Sequence, residues 1–252
     1  MTDLVNRHVA DVMATTAVVI PARDEAADIG TVVAATRQLG LPAIVVDDFS
    51  SDDTAAVARR AGARVLRMPF HAGSWAAMQT GIRAALEGDY EWTVTLDADG
   101  QHDPKDIPRL LQHAGDPAGD PESSASVVVA SCVARGNLRR KLAWRVLRLL
   151  SGLGIADLTS GFRLYDRRAM EILGSSECTL LEYQDVGVLL HLHRQGLHMR
   201  EFEVDMCPRC HGQSRIFRSW WAVGHYLVYS ALVSLTRRSY SRSGAFAGEY
   251  AG

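Results

Sequence analysis

The chain lacks any long, clean apolar run. Ser219 to Thr236 carries no Asp, Glu, Lys or Arg, but it holds Gly224, His225 and several serines and is short for a bilayer span. It lacks an excess of charge: the net charge of −2 offers no general attraction to nucleic acid. It lacks a cysteine framework. Its four cysteines (Cys132, Cys178, Cys207 and Cys210) are too sparse for a disulfide scaffold. Cys207-Pro208-Arg209-Cys210-His211 looks like half of a zinc site, but no second pair exists to complete four ligands, so accidental spacing is preferred. No secretory signal is visible in the first fifteen residues, which hold Asp3, Arg7, His8 and Asp11, and a reducing cytoplasm is the expected location. No Gly-x-Gly-x-x-Gly follows the first apolar run, which argues against a dinucleotide-dependent oxidoreductase. No internal repeat is visible.

What is present is an alternation of strand and helix patterns. A chain of 252 residues suits one large α/β domain or two small ones. Residues 1–15 read as a loosely ordered lead-in, in part helical. Ala17-Val18-Val19-Ile20 is a short apolar run, and Ala26 to Leu39 then spaces Ile29, Val32, Val33, Thr36 and Leu39 along one helical face, closed by Gly40. Ala43 to Val46 is a second strand. Asp52 to Ala61 reads as a helix capped by Ser50 or Ser51. Arg64 to Leu66 is a third strand, Gly73 to Glu87 a helix, and Trp92 to Leu96 a fourth strand. Ser126 to Cys132 and His198 to Val204 read as further strands, and Asp157 to Tyr165 as a loop entering one. Leu138 to Leu153, Arg167 to Leu173, Leu181 to Arg194 and Ser219 to Thr236 read as helices. Continuous apolar strands between helices predict a mainly parallel sheet covered on both faces.

Ligands of such sheets bind beyond the carboxyl ends of strands. Three polar clusters fall there: Pro21-Ala22-Arg23-Asp24-Glu25, Asp47-Asp48, and Asp97-Ala98-Asp99. The last sets two carboxylates one residue apart where a buried strand ends. An Asp-x-Asp can simply be a strand-ending turn. It can also hold a divalent cation against a diphosphate, and three clusters at three strand ends favour that second explanation.

In this order the clusters resemble glycosyltransferase family 2, whose nucleotide-diphospho-sugar transferase fold is called GT-A. Val19 to Glu25 is similar to the family's opening Pro-x-x-Asn-Glu, with Asp24 in place of Asn. Val45 to Thr54 is similar to its Val-Asp-Asp-x-Ser-x-Asp-x-Thr segment, and Leu96 to Gln101 to its Asp-x-Asp segment. Asp157 to Tyr165 and Gly212-Gln213-Ser214-Arg215 resemble later elements of the dolichol-phosphate mannose synthase branch. The resemblance spans roughly residues 16–217, taken as the catalytic domain, and leaves 218–252 as a C-terminal helix and flexible tail.

The resemblance implies an inverting, metal-dependent sugar transferase with a UDP- or GDP-linked donor and Mg2+ or Mn2+. It implies Asp99 as the metal ligand, with Asp97 on the ribose or metal side and Gln101 adding to the shell. It places Asp48 against the base or ribose, Pro21, Arg23 and Glu25 along the nucleotide pocket, and Arg163 and Arg215 as diphosphate clamps. Gly73-Ser74-Trp75 matches a Gly-rich helix start near the nucleotide, but the basic residue often found there is missing. Asp185, in Glu182-Tyr183-Gln184-Asp185, is the catalytic carboxylate expected on the acceptor side. A polyprenyl phosphate acceptor needs no strong base because it is already ionised, and Asp185 would then position it. Two alternatives stay open. One is transfer to a soluble, protein or glycan hydroxyl with Asp185 as base. The other is a non-catalytic nucleotide-sugar-binding protein. Residues 138–150 form a basic amphipathic stretch that suits an anionic membrane surface. Peripheral contact at the inner face of a membrane, through 138–150 and 219–236, stands beside ordinary packing of two half-buried helices.

Overall fold

The structure, a computed structural model, describes residues 2–114, 125–132, 153–180 and 186–205. Its centre is a seven-stranded sheet. The strands are β1 (Thr16–Ala22), β2 (Ala43–Asp47), β3 (Arg64–Arg67), β4 (Trp92–Thr95), β5 (Val127–Ser131), β6 (Arg163–Asp166) and β7 (Met199–Glu203). They lie in the order β3-β2-β1-β4-β6-β5-β7. Neighbours run parallel except at β6, which is antiparallel to both β4 and β5. The expectation of a mainly parallel sheet is met, and the one reversed strand brings the segment before Arg163 back to the carboxyl end of β4.

Period-two alternation sorts each strand's residues into two cores. Ala17 and Val19 of β1, Ile44 of β2, and Val127 and Val129 of β5 share one core with α4 (Ser74–Glu87), α6 (Arg167–Gly174) and α7 (Val186–Arg194). Val18, Ile20 and Ala22 of β1, Val45 of β2, and Val128 and Ala130 of β5 face the other way. Their core is closed by α1 (Thr2–Ala14), α2 (Ile29–Gln38), α3 (Thr54–Arg60) and α5 (Ile107–Leu111). Each fully buried Val, Leu or Ile contributes about 1.5–3 kcal/mol over an exposed one. The strands are therefore fixed in register from both sides.

The helix α4 comes closest to the sheet at Gly81. A Cβ there would lie 2.3 Å from Val19 Cγ1 and 3.2 Å from Val46 Cγ2. Trp75 Nε1 donates to the Cys178 carbonyl at 2.7 Å, and Gln79 Nε2 to the Leu173 carbonyl at 2.8 Å, tying α4 to the end of α6 and beyond. Cys132 and Cys178 are both buried.

Four expectations need correction. The lead-in is a 13-residue helix, held by Val12 in the core and by His8 Nε2, 2.6 Å from the Ala114 carbonyl oxygen. The helix expected from Ala26 starts at Ile29, because the N–H groups of Asp28 and Ile29 both turn back to the Glu25 carbonyl. Ser50 and Ser51 do not cap α3; their hydroxyls and the Ser51 N–H are occupied by Asp24. A 3-10 turn at Pro104–Asp106 leads into α5, where no helix was expected. Gly40, at φ 78°, closes α2 as expected. The stretches 138–150 and 219–236 lie outside the described residues.

The loops after β1 and β2 are stitched together. Asp24 N–H donates to Ser50 Oγ at 2.9 Å, and Asp24 Oδ1 accepts from Ser51 N–H at 2.8 Å. Glu25 N–H donates to Thr54 Oγ1 at 2.8 Å, and Ala26 N–H to Asp52 Oδ2 at 3.1 Å. Asp52 Oδ1 also receives the Thr54 N–H at 3.0 Å and the Thr54 hydroxyl. Burial works against the Asp52 charge, but the hydrogen bonds from the Thr54 hydroxyl, the Thr54 N–H and the Ala26 N–H together hold its carboxyl below the ordinary 3.8.

Gly81→Ala is expected to destabilise the chain by about 1–3 kcal/mol through overpacking on β1 and β2, read as a lower urea midpoint with an unchanged slope. Asp52→Ala is expected to cost about 0.5–1.5 kcal/mol at pH 7, the scale of losing a side-chain hydrogen bond to backbone N–H groups at an exposed position. A depressed carboxylate stabilises the fold above its unfolded value and loses that contribution as pH falls through its folded value. The gap between wild type and Asp52→Ala should therefore close as pH falls below about 4 in urea melts.

Candidate active site

Four loops share the carboxyl edge of the sheet. In spatial order they follow β3 (Met68 to Gly73), β2 (Asp48 to Asp53), β1 (Arg23 to Asp28) and β4 (Leu96 to Asp103). Register puts Ala22 opposite Asp47 and Val19 opposite Thr95, and ladder bonds carry the edge onward: Asp48 N–H reaches the Ala22 carbonyl, and Met68 N–H the Asp47 carbonyl, both at 2.9 Å.

The β4 loop holds the acid pair. Leu96 and Ala98 are buried and anchor it, so Asp97 and Asp99 project from alternate positions. Asp99 is only 6% exposed, and its Oδ1 accepts the Gln101 N–H at 3.0 Å across Gly100, which sits at φ 68°. Only a residue without Cβ takes that turn freely. Asp97 is half-buried against Gly161: a Cβ there would lie 2.7 Å and 2.8 Å from the two carboxylate oxygens. Thr95 Oγ1 donates to the Gly161 carbonyl at 2.7 Å and locks that approach. His102, buried, packs on Phe162 with ring centroids 5.3 Å apart. Asp157 and Glu201 brace the segment behind: Asp157 Oδ1 accepts from Thr159 N–H at 3.0 Å, and Glu201 from Asp157 N–H at 2.9 Å.

Two buried acids, Asp47 and Asp48, stand where β2 passes into its loop. Asp47 Oδ1 accepts the Ser50 N–H at 3.1 Å, and its Oδ2 lies 3.2 Å from Arg67 Nε. Asp48, 3% exposed, accepts Ala72 N–H at 2.8 Å on Oδ1, and Gly73 N–H at 3.0 Å on Oδ2; His71 Nδ1 is 2.7 Å from the same Oδ2. Sequence reasoning gave Asp48 to a nucleotide alone; here it also anchors the β3 loop ahead of α4.

The remaining expected residues fall as follows. Pro21 lies in β1 opposite Val46. Arg23 and Glu25 are half-buried in the β1 loop, with Arg23 Nε 3.8 Å from Asp24 Oδ2. Asp24 takes φ 52°, a left-handed conformation that Asn and Asp tolerate, which accounts for Asp where Asn is usual. Gln101 is half-buried beside Asp99. Arg163 is 2% exposed and faces inward, its guanidinium donating to the Leu158 carbonyl at 3.1 Å and to Tyr165 Oη at 3.4 Å. In this arrangement it supports the 158–162 segment rather than standing at the rim as a clamp. Asp185 and Arg215 lie outside the described residues. Sequence reasoning gave no role to Gly161, His71 or Phe49. The Ser160-Gly161-Phe162 run and the large aromatic in a tight Asp-Asp-Phe-Ser turn were the available signals.

Among the described residues, no three His, Cys, Asp or Glu side chains form a ready-made cation cage. Two hard carboxylates at one rim suit an ion that takes its other ligands from water and substrate phosphate, as magnesium does. Asp99, Asp97 and the amide of Gln101 are the group that fits it.

Residues 17–174 match the family described as Glycosyl transferase family 2. The chain is 31% identical over 176 residues to a polyprenol monophosphomannose synthase of Mycolicibacterium smegmatis, the match covering 62% of this chain and 63% of that protein. It is 26% identical over 210 residues to an undecaprenyl-phosphate mannosyltransferase of Micrococcus luteus, covering 77% and 80%. Among solved structures it resembles glucosyl-3-phosphoglycerate synthase from Mycobacterium tuberculosis in complex with Mn2+, uridine diphosphate and phosphoglyceric acid. The TM-score is 0.63 at 20% identity, covering 90% of this chain and 82% of that one. With the mixed, mostly parallel sheet and the acids at its edge, these matches settle the family: the chain belongs to glycosyl transferase family 2 and is a glycosyltransferase of GT-A fold.

Proposed function

We propose that this glycosyltransferase moves a sugar, with inversion, from a UDP- or GDP-linked donor to a polyprenyl phosphate. The observation that carries the reading is the Asp97–Asp99 loop, held at the end of β4 beside the stitched β1 and β2 loops. The polyprenol and undecaprenyl phosphate named in the two bacterial relatives support the acceptor class.

In the reaction an oxygen of the acceptor phosphate attacks the anomeric carbon as the bond to the donor diphosphate breaks. The nucleoside diphosphate leaves with the electron pair. A divalent cation, Mg2+ or Mn2+, would be held by Asp99 with Asp97 and Gln101 and would neutralise charge growing on the leaving group. Solved neighbours crystallised with Mn2+ or Mg2+ and uridine diphosphate support that choice of ion. The chain's own contribution is placement. Gly161 and Thr95 fix the Asp97 carboxylate and the Gln101 N–H fixes Asp99; Arg23 and Glu25, in the loop of the strand between β2 and β4, would line the nucleotide pocket. The acceptor phosphate is ionised at neutral pH, so the step needs no strong base. Asp185 is then a positioning group; as base it would serve a hydroxyl acceptor instead. Among the described residues no helix is long and apolar enough to cross a membrane. Peripheral contact with the membrane is the proposed route to a lipid acceptor, and the basic stretch 138–150 is suited to it.

Two predictions test this reading. Asp99→Ala is expected to lower metal-dependent transfer to polyprenyl phosphate by about 100-fold or more, the scale of losing one transition-state electrostatic partner. The same variant should lose the Mn2+-dependent rise in melting temperature given by UDP or GDP, while its ligand-free melting temperature stays near wild type. Full activity in Asp99→Ala, or in chelator-treated enzyme, contradicts the proposal. Gly161→Ala leaves both acids in the chain but pushes the Asp97 carboxylate aside. It should weaken binding of Mn2+ with nucleoside diphosphate by calorimetry; unchanged binding would remove Asp97 from the site.

A further inference from the structure

One stripe of α4 reaches across to the chain beyond α6, and the reaction above uses none of its side chains. Trp75, Gln79 and Arg83 recur at every fourth position and so share one face of the helix. Gln79 is only 2% exposed. Its Nε2 donates to the Leu173 carbonyl at 2.8 Å and the Ser175 carbonyl at 2.9 Å, and its Oε1 accepts the Thr179 hydroxyl at 3.1 Å. Arg83 Nε donates to the Gly174 carbonyl at 2.7 Å, and its Nη2 to Thr179 Oγ1 at 3.2 Å. Trp75 Nε1 donates to the Cys178 carbonyl at 2.7 Å.

The last carbonyls of a helix have no partner within it. α6 ends at Ser175 in an extended conformation, φ −67° and ψ 161°, so the chain leads away from them. The stripe on α4 supplies the donors. Gly174 permits the approach, since a Cβ there would lie 3.2 Å from Leu86 Cδ1 and 3.6 Å from Arg83 Cγ. A buried carbonyl deprived of its donor costs more than the bond itself contributes.

Direction gives the stripe its use. β6 ends at Asp166, opposite Trp92 at the start of β4, so α6 begins at the amino edge of the sheet, where Arg167 pairs with Asp89 and Glu91. α4 begins at the carboxyl edge, where Asp48 holds the N–H groups of Ala72 and Gly73. The chain after α6 therefore climbs α4 in reverse: Gly174 meets Arg83, Ser175 meets Gln79, and Cys178 meets Trp75 in the first turn. The 3-10 turn Ser176–Leu180 is thereby fixed beside the rim, just ahead of the segment that ends in Asp185. α7 then ends just ahead of β7, whose Met199 lies opposite Val127 at the amino edge.

We infer that Gln79, with Trp75 and Arg83, is a positioning residue for Asp185: the stripe sets the height on α4 at which the chain carrying the acceptor-side carboxylate reaches the rim. The inference rests on the proposed function, in which Asp185 positions the acceptor phosphate, and adds the residues that place it. They act through the backbone of 173–180. Asp185 itself lies outside the described residues.

The test is steady-state transfer by the full chain with Mn2+, a panel of UDP- and GDP-linked sugars, and undecaprenyl phosphate in detergent micelles. Gln79→Leu keeps the bulk of the side chain and removes its hydrogen bonds. It should raise the KM for undecaprenyl phosphate by about 3–10-fold, the scale of one or two lost hydrogen bonds. Calorimetric binding of UDP or GDP with Mn2+ should stay at the wild-type value. Arg83→Met should act in the same direction, and Arg83→Lys, which keeps a donor for the Gly174 carbonyl, should restore the KM. Arg83 is half-buried, so its variants decide the matter if Gln79→Leu does not fold. In an Asp185→Asn background neither Gln79→Leu nor Arg83→Met should raise the KM further, because residues that act as one unit are not additive. A wild-type acceptor KM in folded Gln79→Leu and Arg83→Met, or in Asp185→Asn, overturns the inference and leaves sugar transfer standing. So do full additivity with Asp185→Asn and equal losses of acceptor and nucleotide binding. Wild type that transfers no sugar of the panel to undecaprenyl phosphate overturns the proposed function, and this inference with it.

Discussion

The contact between the Asp97 carboxylate and the bare α-carbon of Gly161 is the constraint on which the site depends. It exists because β6 runs against the direction of β4. Thr95 pairs with Arg163, so the chain before Arg163 has to pass the carboxyl end of β4. There the Thr95 hydroxyl takes the Gly161 carbonyl at 2.7 Å. With no Cβ at position 161, the carboxylate settles against the backbone. A parallel strand in that place would begin at the opposite edge of the sheet and leave the segment before it there. The single reversal delivers a wall for the acid pair, and the inward guanidinium of Arg163 supports that wall from beneath.

The other acids of the rim do different work. Asp24, Asp48 and Asp52 accept hydrogen bonds from N–H groups of neighbouring loops, while Asp47 holds the Ser50 N–H of its own loop and lies beside Arg67 of β3, and so they hold three strand ends in one arrangement. Negative charge that would repel a diphosphate is thereby partly matched by backbone donors. The acid pair after β4 stands beside this framework, with Asp99 fixed by one N–H from Gln101. Fold and site are linked in that sense. The apolar alternation sets the strands, the strands set the loop spacing, and the loop acids lock it.

Much of this was legible in the sequence because it is local. Val18 to Ile20 and Ala43 to Val46 announce buried parallel strands, and Asp97-Ala98-Asp99 announces itself at a strand end. What was not legible depends on partners far along the chain. The N-terminal helix is stabilised by His8 meeting Ala114, and nothing within residues 1–15 reveals that partner. Ser50 and Ser51 are good helix caps by type, but Asp24 claims them. Arg163 reads as a phosphate clamp until Leu158 and Tyr165 are seen to draw it inward. Phe49 passes for an ordinary loop residue until its backbone angle and exposure are known. Asp185 and Arg215, expected on the acceptor and phosphate side, lie outside the described residues, and their part rests on the resemblance alone.

The most direct measurement of the central claim is anomalous diffraction from crystals of the chain grown with Mn2+ and a nucleoside diphosphate. The account predicts a manganese peak about 2.0–2.2 Å from an Asp99 oxygen, with Asp97 on the same side and diphosphate oxygens completing the shell. Manganese or diphosphate bound elsewhere, with Asp97 and Asp99 facing only water, would contradict it.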